Sequence, residues 1–426
     1  MTKKWDVIIV GGGLAGLVAA NYLAKTDLSI LVLEKGKKIG GRARTDCIRQ
    51  QYLNLGPHAL YKKGKAKLIL EELDVELNGK SPKLGGILVE KNMEYTAPFT
   101  LLGIFSTSLL NWKERIEWAR VLIKVILINT ETLAQQTFEE WVQQTSDSEK
   151  VQSLFYLLGR LGTYCHASEK ASAKIIVSHL KAVLSGVLYL DNGWQTIIDQ
   201  LHNKAVISGV QIQTHKAIKQ IDPIENDHFK LVLSNNEEFS GKYVLCTTAP
   251  HELNHMLGEK ATLSQIDAFS KMTAVKGATI DVALTQLPNP KQLFAMGLTD
   301  PLYFSVHSSY ARLSEDAKSA VLHVFRYYHP DEQIDGITVK NELEQFLEKM
   351  QPGWKNYVIT SRFIPQINVN QRLPRIGDEQ RLNRFKTEFP GLYIAGDWAS
   401  LDSILSEGAV SSGKQAAEEI IKKEKS

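Results

Sequence analysis

One stretch near the N-terminus leaves this chain few ways to fold. An apolar run, Trp5 to Val10, breaks into Gly11-Gly12-Gly13-Leu14-Ala15-Gly16, and a helix-like segment from Leu17 to Lys25 follows. A second apolar run, Ser29–Leu33, ends at Glu34. Short apolar runs of this kind are buried parallel strands. Strand, turn, helix and strand within about thirty residues open a dinucleotide-binding fold. In G-x-G-x-x-G the first glycine makes the tight turn, the second admits a pyrophosphate close to the backbone, and the third lets helix and strand touch. The helix N-terminus then faces the phosphates. A lone G-x-G-x-x-G is weak evidence, but Glu34 stands where a carboxylate accepts the hydroxyls of an adenosine ribose. The loop by itself does not separate NAD from FAD.

At 426 residues the chain exceeds one ordinary core, which predicts two domains. A formal charge of +3 favours no anionic partner, and no basic patch points to nucleic acid. Cys47, Cys165 and Cys246 lie far apart without CxxC spacing, and no signal-peptide pattern precedes the first strand. A cytoplasmic protein with reduced thiols is the expectation. No apolar run reaches the ~18 residues of a membrane span; Val121–Ile128 is broken by Lys124. Peripheral membrane contact is open but not indicated.

Residues 86–185 read as mostly helical. Asn111 with Glu114, and Thr137 with Glu140, form capping-box patterns, and Trp118, Val121, Leu122, Val125 and Ile126 recur at helical spacing. That stripe suits core packing better than lipid contact. Strand patterns return at Val210–Gln213, Ala217–Ile221, Phe229–Leu233 and Tyr243–Cys246, and again at 278–284 and 320–328. Pro352–Pro374 reads as loop-rich. The chain closes with a strand, Leu392–Ala395, and a helix from about Gly408.

Further motifs surround the glycine loop. Lys35 follows Glu34, and Gly40-Gly41-Arg42 puts an arginine where it can neutralise a pyrophosphate. Gly56-Pro57-His58 is a rigid turn. Near the C-terminus, Ala395-Gly396-Asp397 ends a strand, and Glu407-Gly408-Ala409-Val410 opens a helix with small residues on its first turns.

In these segments, taken in order along the chain, the sequence resembles the superfamily of FAD-dependent amine oxidases, phytoene desaturases and protoporphyrinogen oxidases, as a desaturase-like member. The resemblance implies an α/β fold: a discontinuous Rossmann-type FAD-binding domain (1–85, 186–264 and 376–426) and a second, α+β substrate or cap domain (86–185 and 265–375). It implies that Asp397 holds the ribityl hydroxyls of FAD and that Glu407, Gly408, Ala409 and Val410 lie at the pyrimidine edge. It also implies that the backbone at Ala217-Ile218 contacts adenine and that Gly56, Pro57 and His58 flank the flavin.

Only one G-x-G-x-x-G occurs, so no second nucleotide domain delivers electrons from NAD(P)H, and no cysteine between Gly391 and Gly413 offers a covalent flavin link. An oxidase or desaturase with noncovalent FAD and a small, mainly apolar substrate is therefore expected. Amine oxidation and porphyrinogen oxidation are alternatives. So are a non-redox flavin-dependent isomerase or mutase and a binding protein like the GDP-dissociation inhibitors. On the strand where amine oxidases of this type carry a lysine near the flavin, Asp281 stands at the matching position and Lys276 is out of phase. Leu298-Thr299-Asp300-Pro301 and Ala317–Val324 look more like the desaturase middle region. His58 either acts on a substrate proton or makes a backbone hydrogen bond, and Trp398 either walls the cavity or packs. His307, His323 and His329 lack metal-ligand spacing, so no metal is expected. No catalytic acid or base is identified.

Overall fold

A computed structural model describes residues 4–83, 85–91, 93–224, 228–259, 269–378, 382 and 386–426. β1 (Lys4–Val10) runs into the glycine turn, α1 (Leu14–Leu23) returns, and β2 (Ile30–Leu33) lies parallel to β1. Both strands are apolar on every residue after the first few because both faces are covered. A hairpin of β3 (Thr45–Ile48) and β4 (Gln51–Asn54) follows. The short strands β5 (Leu60–Tyr61) and β6 (Gly79–Lys80) flank α2 (Lys65–Glu72) and both pair with β9 (Val187–Leu190). Between them come a hairpin, β7 (Ile87–Glu90) and β8 (Met93–Thr96), and five helices: α3 (Leu101–Ser106), α4 (Trp112–Leu127), α5 (Phe138–Thr145), α6 (Glu149–Thr163) and α7 (Ala173–Leu184). Both expected capping boxes are present, at the starts of α4 and α5. Trp118, Val121 and Val125 are buried, as core packing requires, whereas Ile126 points outward.

After α8 (Gln195–Ile207) come β10 (Gln211–Gln213), β11 (Ile218–Ile224), β12 (His228–Leu233) and β13 (Glu238–Cys246). These join β1 and β2 in the order β10-β2-β1-β13-β12-β11. β14 (Val275–Leu284), β15 (Phe294–Gly297), β16 (Leu302–Ser305), β17 (Ala320–Tyr327) and β18 (Val358–Asn370) form a second sheet that β7 and β8 complete. The last strand, β19 (Leu392–Ile394), pairs parallel with β13, and the C-terminal helix Leu405–Lys425 packs on α1.

The expected loop at 352–374 is instead mostly β18, thirteen residues long. Pro365 misled the reading, since a proline cannot donate to a sheet and is confined to edges and bulges. β18 is such an edge: among the described residues it pairs only with β14, and its register shifts between Ile367 and Ile364, at Pro365. The helical reading of 86–185 also passed over the β7–β8 hairpin. No helix among the described residues is long and apolar enough to cross a membrane.

Candidate flavin site

Three parallel strands end side by side. Val10 of β1 pairs with Cys246 of β13, which pairs with Ile394 of β19. The turns leaving them are therefore neighbours: Gly11–Gly13, Thr247, and Gly396-Asp397. Ligands of open α/β sheets bind beyond such carboxyl ends.

At Gly11 the backbone has φ +112°, and a methyl there would stand 2.5 Å from Thr247 Oγ1. A methyl on Gly16 would collide with the Gly11 carbonyl. Gly13 differs: it is extended, with φ −82°, caps α1 without any side-chain hydrogen bond, and has no atom within 4 Å of where a methyl would sit. This open cradle at an uncapped helix N-terminus fits a pyrophosphate. Leu14 and Ala15 form the buried first turn of α1, and Gly41, φ +54°, approaches Gly13 from the facing loop. The Glu34 carboxylate accepts the N–H groups of Gly12 (2.8 Å) and Gly36 (2.7 Å), which fixes it at the end of β2. His215 and Lys216 donate backbone N–H groups to Gly36 and Glu34, bringing the segment before Ile218 alongside; Ile218 itself packs against the core. Lys35 points away and pairs with Glu252.

The two ends of the chain meet at Arg42. Its guanidinium grips Asp397 through both oxygens, at 2.6 and 2.7 Å, and donates to the Val369 carbonyl. Asp397 also accepts the Gln371 N–H at 2.9 Å. Burial opposes the Arg42 charge, but Asp397 outweighs it and holds the guanidinium pKa above its usual value. Gly396 has φ +136°. Gly408 lets the C-terminal helix start 3.0 Å from the Asp397 carbonyl, measured to a methyl that is not there. Gly413 does the same against Ala15. Ala409 and the buried Val410 join the core around α1. Glu407 turns the other way: its carboxylate accepts the Ala66 N–H at the start of α2, and burial raises its pKa.

His58 lies beside Arg42. Its Nδ1 faces the Gly56 carbonyl at 3.0 Å and its Nε2 the Arg42 carbonyl at 3.1 Å. Burial lowers its pKa, and a neutral ring has one N–H for those two acceptors. Pro57 offers its carbonyl to Tyr164 Oη at 2.7 Å. Tyr164 in turn stands edge-on to Phe325, 5.2 Å between centroids, so an aromatic wall backs the turn. Trp398 packs, fully buried, against Phe269 and donates its indole N–H to Thr248.

Beneath Gly56 lies Thr279 of β14, and two residues on is Asp281. Asp281 is fully buried, with His323 Nδ1 at 2.7 Å and Arg362 Nη2 at 2.7 Å. Arg362 continues to Asp46 at 3.0 Å. Burial works against the Asp281 charge, but His323 and Arg362 prevail and hold its pKa below the usual range. Sequence reading did not link these three, which come from separate strands. The cues were single residues, Asp281 and His323, each in a mostly apolar strand. Lys276 lines a cavity of about 330 Å³ between α9 (Pro250–Leu257) and strands β14 and β18, shared with His251, Met272, Tyr328 and Gln371. Among the described residues, no group of histidines, cysteines and carboxylates could hold a metal ion.

A model of the family described as flavin containing amine oxidoreductase matches residues 14–421. UDP-galactopyranose mutase of Mycoplasma genitalium is 30% identical over 109 residues, 24% of this chain and 26% of the mutase. L-amino-acid oxidase of Crotalus adamanteus is 41% identical over 73 residues, 17% of this chain and 14% of the oxidase. The chain thus spans about a quarter or less of the curated relatives it matches. Wild-type putrescine oxidase bound to putrescine superposes with a TM-score of 0.77 at 14% identity, covering 99% of this chain and 100% of that one. It shares the fold.

Proposed function

The chain belongs to the family of flavin containing amine oxidoreductases, and from that premise we propose that it is an FAD-dependent oxidoreductase of the oxidase or desaturase type acting on a small, largely apolar molecule. The observation that carries this reading is the meeting of Gly11–Gly16, Arg42 and Asp397 at the ends of three adjacent strands. FAD, when bound, supplies the hydride acceptor.

The chain supplies binding, orientation and charge. In this reading Gly13 and the first turn of α1 take the pyrophosphate, with Arg42 as its countercharge. Glu34, preset by two backbone N–H groups, accepts the ribose hydroxyls, and the backbone near Ile218 borders the adenine. Asp397 accepts the ribityl hydroxyls, which requires Arg42 to share it. The N-terminal turn Gly408–Val410 stabilises negative charge at the pyrimidine edge. Residues 1–85, 186–264 and 376–426 make this half, and 86–185 with 265–375 cover the substrate. Burial pushes the thiols of Cys165 and Cys246 up to about 12, which makes them poor nucleophiles; with no cysteine between Gly391 and Gly413, this favours noncovalent FAD.

Two features favour an apolar substrate over an amine. The wall behind Pro57 is aromatic, and the buried carboxylate of Asp281, two residues beyond the Thr279 that lies under Gly56, is already matched by Arg362 and His323. A second reading, flavin-dependent isomerisation without net oxidation, draws on the identity with the mutase. Anaerobic titration against polyenes, porphyrinogens and amines tests both. Bleaching of the flavin band by polyenes or porphyrinogens is the expected result. Bleaching by amines alone overturns the apolar reading, and turnover by prereduced protein without acceptor consumption favours isomerisation.

A further inference from the structure

Core packing accounts for one face of α3 and α4 and leaves the other without a purpose inside the molecule. Gly103 and Ile104 anchor α3, while Leu101, Leu102 and Phe105 point outward, Leu102 82% exposed. On α4, Trp118, Val121 and Val125 face in, while Trp112, Ile123 and Leu127 face solvent at 61%, 56% and 76%. The two surfaces are continuous, because the rings of Phe105 and Trp112 lie 6.2 Å apart. Monomeric soluble proteins seldom expose contiguous apolar surface of this kind without a partner.

Charge on the same helices is sorted. Lys113, Arg120 and Lys124 are exposed along the apolar strip. The acids are drawn inward: Glu114 closes the capping box and accepts from Ser148, and Glu117 accepts from Ser146. An apolar strip with a tryptophan at its edge, bordered by exposed cations while the acids of α4 are turned to hydroxyl and backbone partners, matches the interface of an anionic bilayer, where apolar side chains enter the acyl boundary and cations meet phosphates. A protein partner would more often meet a mixed rim of both charges.

We propose that α3 and α4 dock this protein on the surface of an anionic lipid bilayer, with Leu101, Leu102, Phe105, Trp112, Ile123 and Leu127 inserted and Lys113, Arg120 and Lys124 at the phosphates. The inference does not depend on the proposed reaction. If the substrate is apolar, the docked face puts the enzyme where such a molecule partitions.

Co-sedimentation of the flavin-loaded protein with phosphatidylcholine vesicles, with and without phosphatidylglycerol, tests it. The wild type is expected to bind the anionic vesicles and to release as salt rises. The variant Leu102→Ser/Phe105→Ser/Leu127→Ser should stay in the supernatant. The variant Lys113→Gln/Arg120→Gln/Lys124→Gln should lose affinity for anionic vesicles on the order of a hundredfold. Flavin content and thermal midpoint, unchanged in both variants because every altered side chain is exposed, show that folding is intact. Wild-type protein that ignores both vesicles overturns the proposal, as does serine-variant binding equal to the wild type. A dimer in sedimentation velocity that the serine variant abolishes, with no vesicle binding, would assign the face to self-association instead.

Discussion

Replacing Gly13 by alanine separates folding from cofactor binding at one atom. The backbone there, φ −82° and ψ −175°, suits alanine, and the added methyl meets no protein atom within 4 Å. Alanine is a poorer N-cap than glycine by about 0.5–1 kcal/mol. The stiffer unfolded chain returns about 0.4–1 kcal/mol. The two nearly cancel, so the thermal midpoint of the apoprotein should move by less than about 3 °C. The methyl fills the space assigned to the pyrophosphate, and FAD affinity should fall at least about tenfold, or 1.4 kcal/mol. Gly11→Ala is the contrast. Its φ of +112° and the 2.5 Å approach to Thr247 impose backbone strain and a clash together, worth about 2–4 kcal/mol, so stability and affinity should drop in parallel. Quenching of flavin fluorescence on titrating apoprotein gives the affinities, and differential scanning fluorimetry gives the midpoints. Gly13→Ala protein that binds FAD within twofold of the wild type would refute the placement of the pyrophosphate.

Two further outcomes follow from buried charge. Asp281→Ala leaves buried His323 without its carboxylate and Arg362 with Asp46 alone, and should cost about 3 kcal/mol in urea denaturation. Because the folded pKa of Asp281 is depressed, its contribution is present above about pH 4 and fades as pH falls through the folded value; a wild-type-to-variant gap that persists in acid would contradict the ion-pair account. His179 accepts the Ile404 N–H through Nε2, and burial pushes its pKa down to about 4. The unfolded imidazole takes its proton near pH 6.5, so stability should hold above that pH and decline by on the order of 3 kcal/mol down to pH 4. His179→Gln should show a shallower decline across that window, and an identical slope would exclude the neutral histidine.

Whatever repeats locally was legible in the amino-acid order. The glycine turn, the two capping boxes and the strand patterns at Phe229–Leu233 and Tyr243–Cys246 each depend on neighbours within a few residues. Arg42 and Asp397 were legible singly, from motif and resemblance, but their pairing spans 355 positions and comes from where β1, β13 and β19 end. β18 was hidden because Pro365 breaks the local pattern and only the edge position excuses it. Glu407 shows a different gap. Its motif is in place, yet its side chain serves α2, since a helix's first turn can face either neighbour. The Asp281–His323–Arg362 cluster shows locally only as lone polar residues in mostly apolar strands, with nothing to link them, and Thr247 had only its place directly after an apolar strand. The inward stripe of α4 packs as its spacing predicts; its outward face had no cue, because periodicity identifies a stripe without saying what covers the opposite side.

The central claim is a noncovalent FAD held between the two ends of the chain, and its most direct measurement is flavin stoichiometry with release. Purified protein, as isolated or after incubation with FAD, should carry equimolar flavin that passes wholly into the supernatant on acid precipitation. Asp397→Ala protein should fold but retain far less. Colourless protein that no added FAD reconstitutes would contradict the account, and so would flavin that stays with the precipitated polypeptide.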